Sequence, residues 1–403
     1  MKIIDVRVHE VCGVMDHTPS LPGGGPGRKR TMPNDIYPGL NQTKGVIGGM
    51  PVLEDGKYVL SHKFLEIETD DGIVGRSGPC CNSVVIDQLL HICKPLLMGE
   101  DPFHINRLWD AIFRTNPKGY AGEYMIALSH IDIAIWDILT KKMGIPLYKA
   151  LGGCCQERIP AYANMVGYPS TPDEAVEATG RLVGEEGYTA MKWYPPYGPA
   201  EGEAGMLKNV ELLQAVREKA GNGITLMVDA WNSWTYEYTM RIAPYLKELD
   251  IRFIEEPLMP ALFDGYERLS RECCVPIAAG EHIFTRWGFK RFLDADICGY
   301  YQPDPEWTGG VSETKRIIDL ANCYNKPVIL HGSFLPAVLA LSVSQPSTVI
   351  PIIEWILNIS PVEEYFFQKP VMPEHGFFRI PDDTPGAGLE LDEKKISRHS
   401  YER

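Results

Sequence analysis

An excess of positive charge, a long apolar run and CxxC cysteine pairs are all missing from this sequence. The 403 residues carry 39 Lys and Arg against 53 Asp and Glu, a net charge of −14. That balance argues against nucleic acid or an anionic membrane as the main partner. No apolar run approaches the roughly 20 residues of a membrane span. The N-terminus, Met1-Lys2-Ile3-Ile4-Asp5, turns polar too early for a secretory leader. Ten cysteines include the neighbours Cys80-Cys81, Cys154-Cys155 and Cys273-Cys274 but no CxxC pair, so reduced thiols are expected. No Gly-rich dinucleotide fingerprint follows a strand pattern, which argues against hydride transfer. The absences together predict a soluble, cytoplasmic protein with neither a nucleic-acid nor a membrane partner.

What the sequence does contain is organised around residues 226–281. Three carboxylates stand there at equal intervals, each closing a short apolar run: Leu226-Met227-Val228 leads to Asp229, Ile251-Arg252-Phe253-Ile254 to Glu255, and Pro276-Ile277-Ala278-Ala279-Gly280 to Glu281. Both gaps are 26 residues. Short apolar runs bounded by turn signals read as buried strands, and helical patterns such as Tyr238 to Leu249 lie between them. The result is a series of βα units with one acid at the C-terminal tip of each strand, where a (β/α)₈ barrel gathers its active site. Three hard oxygen ligands without His or Cys suit Mg²⁺, which leaves positions for water and substrate. Strand-end acids that merely cap the following helices are the bland alternative; equal spacing of three favours the metal.

Taken in order, the chain opens with an alternating strand pattern over residues 2–9 and then dissolves, from Cys12 to Gly56, into Gly, Pro, Asn and Lys. A loop this long is expected to be a lid, with His17, Arg28, Lys29, Arg30 and Lys44 as candidates to contact an anion. A hairpin follows across Asp70-Asp71-Gly72, then helices over Val84 to Leu97, Ile105 to Thr115 and Ala121 to Met143. Eight barrel strands are predicted near Ile159–Ala163, Ala190–Trp193, Thr225–Asp229, Arg252–Glu255, Pro276–Ala279, Ile297–Gln302, Pro327–His331 and Thr348–Glu354. The expected α/β architecture is a (β/α)₈-type TIM barrel over 121–365. An α+β capping domain at 1–120 is joined by a Pro- and Gly-rich C-terminal tail at 366–403.

Later strand tips add Gln302-Pro303-Asp304, His331-Gly332 and Glu354-Trp355. A His on one tip beside an Asp on the next forms a plausible dyad, because the carboxylate fixes the tautomer and raises the basicity of the imidazole. A lone strand-end His is more often structural, but His331 stands one strand after Asp304 and on the face of three acids, which makes it the candidate general base.

The pattern Val228-Asp229, Phe253-Ile254-Glu255-Glu256-Pro257, Ala279-Gly280-Glu281-His282, Gln302-Pro303-Asp304 and His331-Gly332-Ser333 resembles the enolase superfamily, mandelate racemase subgroup, over nearly the whole chain. The resemblance implies that Asp229, Glu255 and Glu281 hold Mg²⁺, that His331 with Asp304 removes an α-proton, and that Glu354 hydrogen-bonds the enediolate. Glu256 is expected to neighbour the site without ligating. Racemases of the subgroup carry Lys-x-Lys on the second strand; here the stretch is Lys192-Trp193-Tyr194. An unperturbed Tyr titrates near pKa 10 and is a poor base, so one working base implies β-elimination.

Lys192, Tyr197-Gly198-Pro199, Asp229-Ala230-Trp231, Gly280-Glu281-His282 and Trp307-Thr308-Gly309-Gly310 are similar to the L-rhamnonate dehydratases, in which the His after the third ligand belongs to the site. That similarity makes His282 a candidate acid. Trp193 and Trp307 become candidate substrate contacts, as do His17 and Lys44 from the lid. The expected function is Mg²⁺-dependent dehydration of an aldonate or aldarate to a 2-keto-3-deoxy sugar acid by a homo-oligomer. Its rival is a racemase or epimerase of a 2-hydroxy acid with Lys192 or Tyr194 as second base.

Overall fold

The computed structural model describes residues 1–16, 31–37, 57–80, 82–167, 171–332 and 334–403. Two sheets organise them. The first is antiparallel: β1 (Ile3–Met15) pairs with β2 (Tyr58–Thr69), β2 with β3 (Val74–Ser77), and the C-terminal strand Arg398–Glu402 covers the other edge of β1. One face of this sheet packs on the helix Glu123–Met143, which is apolar nearly all round because it is walled in on both sides. Its first wall is β3, and its second is the helix Gly310–Cys323.

The second sheet is parallel. Its strands are β4 (Arg158–Asn164), β5 (Ala190–Trp193), β6 (Thr225–Asp229), β7 (Ile251–Glu255), β8 (Ile277–Ala279), β9 (Tyr300–Tyr301) and β10 (Ile353–Ile356). They run in sequence order, and β10 returns to pair with β4. The predicted sixth strand contracts to two residues, and the predicted seventh is reduced to a bridge between Tyr301 and Val328. Pro303 interrupts the ladder between the two. Tyr301 N donates to Pro327 O, Ile329 N to Tyr301 O and His331 N to Pro303 O. The rung between the last two needs an N–H on residue 303, which a proline cannot supply. The barrel therefore keeps eight positions with a thinner seam between the sixth and seventh. A short antiparallel strand, β11 (Phe377–Arg379), pairs with the N-terminal residues Arg158 to Pro160 of β4, and the C-terminal strand already described is β12.

Strand period two separates the barrel's inside from its outside. Tyr162, Ala190, Met227, Phe253, Ala278 and Ile329 form an apolar plug in the interior, with Tyr300 and Ile352 packed against it. The intervening residues, Met191, Val228, Ile254, Ile277 and Ile353 among them, face the surrounding helices in a separate, larger core. Truncating a fully buried plug residue such as Phe253 to Ala would cost about 3–5 kcal/mol. The nine cysteines among the described residues carry no disulfide, and no described helix is long and apolar enough to cross a membrane.

Candidate active site

Two residues beyond each plug residue, on every one of the eight strand positions, stands the next inward-facing residue: Asn164, Lys192, Asp229, Glu255, Gly280, Gln302, His331 and Glu354. Seven of these are polar, so the apolar plug is floored over by a polar layer at the C-terminal end of the barrel. Gly280 is the exception for a steric reason. Its φ is +157° and a Cβ there would stand 2.5 Å from the Gln302 backbone.

Lys192 lies at the centre of that layer and is fully buried. Its ammonium is 2.7 Å from Glu255 Oε2, 2.7 Å from Glu354 Oε1 and 3.0 Å from Asp229 Oδ2. Burial pulls the Lys192 pKa down, but Glu255 and Glu354 outweigh it and hold the group charged. Gln302 Nε2 adds a second donor to Glu255 Oε2 at 2.6 Å. Glu354 accepts from Asn164 Nδ2 at 2.6 Å and from the Gly332 amide at 2.8 Å. Although burial pushes Glu354 up, Lys192 and His331 bring it down to about 2. Glu255 goes the other way, because burial and the neighbouring Asp229 drive its pKa up more than Lys192 lowers it.

Two His–carboxylate pairs face each other across the mouth. His331 Nδ1 meets Asp304 Oδ2 at 2.6 Å, leaving Nε2 3.1 Å from Glu281 Oε2 and 3.9 Å from Glu354 Oε2. His282 Nδ1 meets Glu256 Oε2 at 2.6 Å and lies 3.2 Å from Glu281 Oε1. The Trp307 ring bridges the two imidazoles, with centroids 5.5 Å from His282 and 5.4 Å from His331. Burial lowers the His282 pKa, yet Glu256 more than compensates and raises it to about 9.

The acids offer two arrangements to a cation. Among the described residues, Glu256, Glu281 and His282 form a set whose ligand atoms all lie within 4.8 Å of one another. The set expected from sequence, Asp229, Glu255 and Glu281, is more spread, since Lys192 and Gln302 draw Glu255 Oε2 to themselves. Donor satisfaction favours the sequence-based set. Glu256 already accepts from Asn232 Nδ2, the Gly280 and His282 amides and His282 Nδ1. By contrast, Asp229 Oδ2 and Glu281 Oε1 are buried without a hydrogen-bond partner, facing only the cations of Lys192 and His282. Three buried carboxylates from adjacent strands, two with an oxygen of this kind, fit an oxygen-seeking divalent ion.

Of the residues expected from sequence, Asp229, Glu255, Glu281, His282, Asp304, His331, Glu354, Lys192 and Trp307 thus come together. Tyr194 also reaches the layer, where its hydroxyl accepts from Asn164 Nδ2 at 3.0 Å. Burial and the nearby Asp229 push its pKa well above the usual value. Trp193 does not belong: strand alternation turns it outward between barrel and helices, where it is 1% exposed. His17 and Lys44, with most of the expected lid, lie outside the described residues. Within that segment, residues 31–37 reach the barrel, and Ser233 Oγ donates to Thr31 Oγ1 at 2.6 Å. The sequence reading missed Asn164 and Asn232, and it placed Glu256 beside the site without its bond to His282. Counting two residues beyond each plug position would have found Asn164.

Residues 174–395 match the family described as "Enolase C-terminal domain-like", and residues 56–152 match "Mandelate racemase / muconate lactonizing enzyme, N-terminal domain". The chain belongs to the enolase superfamily. It is 31% identical over 363 residues to an arabinonate dehydratase of Saccharolobus solfataricus, which spans 88% of this chain and 94% of that protein. The crystal structure of L-rhamnonate dehydratase from Gibberella zeae superposes with a TM-score of 0.80 at 27% identity, covering 98% of this chain and 94% of that one. A second structure of the Gibberella zeae rhamnonate dehydratase, complexed with Mg, superposes equally well, with a TM-score of 0.80 and 95% of that chain covered. Like these superfamily relatives, the chain is a hydro-lyase with a TIM-type barrel and an antiparallel cap.

Proposed function

We propose that this enolase-superfamily member carries out Mg²⁺-dependent dehydration of a sugar acid, an aldonate or aldarate, to the 2-keto-3-deoxy acid. The observation that carries the reading is the asymmetry around the barrel axis. On one side stands an imidazole whose Nδ1 is held by Asp304 at 2.6 Å while Nε2 faces the site. On the opposite strands, Lys192 is locked among three carboxylates and Tyr194 is hydrogen-bonded to Asn164. One imidazole base serves elimination, whereas racemisation needs a base on each face.

Asp229, Glu255 and Glu281 would hold the ion, which supplies charge neutralisation to the substrate carboxylate as negative charge develops there. His331 Nε2 takes the C2 proton, and Asp304 keeps the Nδ1 proton in place and stabilises the resulting imidazolium. Glu354, anchored by Asn164 and the Gly332 amide, presents its carboxyl group beside the same atoms. The 3-hydroxyl then leaves as water with a proton from His331 or from His282, whose bond to Glu256 holds it charged. The enol released relaxes to the 2-keto acid. Trp307, seated between the two imidazoles, walls the reacting carbons from water.

The same proposal includes a boundary near residue 120, lid contacts from His17 and Lys44, a cytoplasmic setting and self-association, the last read by light scattering. The deciding experiment incubates purified protein and Mg²⁺ with a panel of aldonates and aldarates and detects 2-keto-3-deoxy products with semicarbazide. Product with at least one acid is the expected result. Solvent deuterium entering C2 of recovered substrate with no loss of water would overturn it in favour of a racemase.

A further inference from the structure

The base is held from outside the barrel. Asp304 begins a tight turn: its Oδ1 accepts from Glu306 N at 2.7 Å, and its carbonyl accepts from Trp307 N at 3.1 Å and Thr308 N at 2.9 Å. Thr308 Oγ1 then ties the turn to the segment after His282, donating to Ile283 O at 3.3 Å and accepting from Thr285 N at 3.1 Å. This one loop therefore sets Asp304, the Trp307 ring and, through Thr308, the His282 side of the mouth.

The far end of the loop is the start of the helix Gly310–Cys323, whose N-cap is Gly309. Glycine has no side chain with which to cap. The long helix Glu123–Met143 supplies the cap instead. Ser129 Oγ accepts from Gly309 N at 2.9 Å, and Asp132 Oδ2 accepts from Ser312 N at 2.9 Å. Trp109 Nε1 donates to Gly309 O at 2.8 Å, and Trp136 Nε1 to Ser312 Oγ at 2.9 Å. The fit leaves no slack: at Gly310, with φ +81°, a Cβ would lie 2.4 Å from Asp132 Cβ. Asp132 and Ser129 are both fully buried, 2% and 0% exposed.

We propose that Asp132, assisted by Ser129, is a positioning residue for the His331–Asp304 base, capping in trans the helix whose preceding loop carries Asp304 and Trp307. The proposal rests on the reading of His331 as base. An Asn at 132 keeps an acceptor for Ser312 N and holds the loop; an Ala releases it. A displacement of about 1 Å at the reacting atoms costs on the order of 100-fold in rate.

The test uses the full-length protein in three variants: Asp132→Ala, Asp132→Asn and Ser129→Ala. Two readouts are taken on protein verified as folded by circular dichroism. The first is kcat and KM with the sugar acid found in the panel. The second, which needs no substrate, is the low-field imidazole proton resonance assigned to the His331–Asp304 bond by its loss in His331→Asn. For Asp132→Ala the expectation is kcat reduced about 10- to 100-fold with KM nearly unchanged, and a shifted or broadened resonance. Asp132→Asn should restore both. Ser129→Ala should show a smaller loss of the same kind, and it decides the matter if Asp132→Ala does not fold. Folded Asp132→Ala or Ser129→Ala with wild-type kcat and an unmoved resonance, differing only in melting temperature, would overturn the proposal. A blank substrate panel would count against the reaction, and the resonance would still decide the positioning role.

Discussion

Two clusters of buried charge in this molecule differ in how that charge is balanced. In the antiparallel sheet, Glu66 lies between two guanidinium groups, Arg7 at 2.9 Å and Arg76 at 3.0 Å, with His9 Nδ1 at 3.1 Å. His9 passes the contact on to His399 of the C-terminal strand at 2.9 Å. Burial pushes Glu66 up, but His9 and Arg76 outweigh it and bring the carboxyl down to about 2. At the barrel mouth the acids outnumber the cations. Asp229, Glu255 and Glu281 share Lys192 and the two imidazoles with Glu256, Asp304 and Glu354. There, burial pushes Glu281 up to about 7 even though His331 lowers it. Around Glu66 both carboxylate oxygens have basic partners, whereas at the mouth six acids share three basic groups, an imbalance that suits uptake of a further cation.

The largest predicted effect removes the base. His331→Asn should lower dehydration by at least about 10³-fold, within the range for general acid–base catalysis, while calorimetry still finds Mg²⁺ binding. Wild-type rates in that variant would end the assignment. Chelation comes next. EDTA should abolish turnover and Mg²⁺ restore it, and Mg²⁺ at 100 times its Kd should stabilise the fold by about 2.7 kcal/mol. Glu281→Gln should lose most of that thermal shift, whereas Glu256→Gln should keep it; the reverse would move the ion to the Glu256–Glu281–His282 set.

Glu66→Gln sharpens the comparison from the other side. Arg7 keeps Glu68 and Arg76 keeps Glu390, so losing the charged bonds to Glu66 should cost about 1.5–3 kcal/mol of stability and leave kcat within about twofold, since nothing at the barrel mouth touches Glu66. The sign of its pH dependence follows from the depressed pKa. The contribution is present above the unfolded value of about 4.3 and is lost as pH falls toward about 2. Acid denaturation curves of wild type and variant should therefore converge at low pH. Asp132 has the opposite sign: burial lifts it to about 7 even though Ser312 lowers it. Its favourable contribution is present below about 3.9 and is lost as pH rises through about 7. Asp132→Asn should accordingly be more stable than wild type at pH 8 and gain less at pH 5, as read by urea midpoints. The smallest effect is expected from Tyr194→Phe, which loses one bond to Asn164, worth about 1 kcal/mol, and should slow dehydration less than about tenfold.

Periodicity and spacing by themselves were enough for a parallel barrel with acids at three strand tips and a His–Asp pair on later ones. The side-chain period of two and the position of each apolar run fix which residues point inward, whatever the rest of the chain does. Trp193 was misjudged because its neighbours Lys192 and Tyr194 carry the inward parity, a count available in the sequence but not applied to it. The broken ladder between the sixth and seventh strands followed from Pro303, a local signal overlooked. Other features were beyond any local reading. That Glu256 holds His282, that Lys192 is locked by three acids, and that Asp132 caps a helix 180 positions away depend on contacts between segments far apart in sequence. Strand and helix patterns set the direction of each side chain. Which buried charge meets which partner is decided only when the barrel closes and the long helix packs against it, because desolvation and Coulomb energy depend on distance in space rather than along the chain.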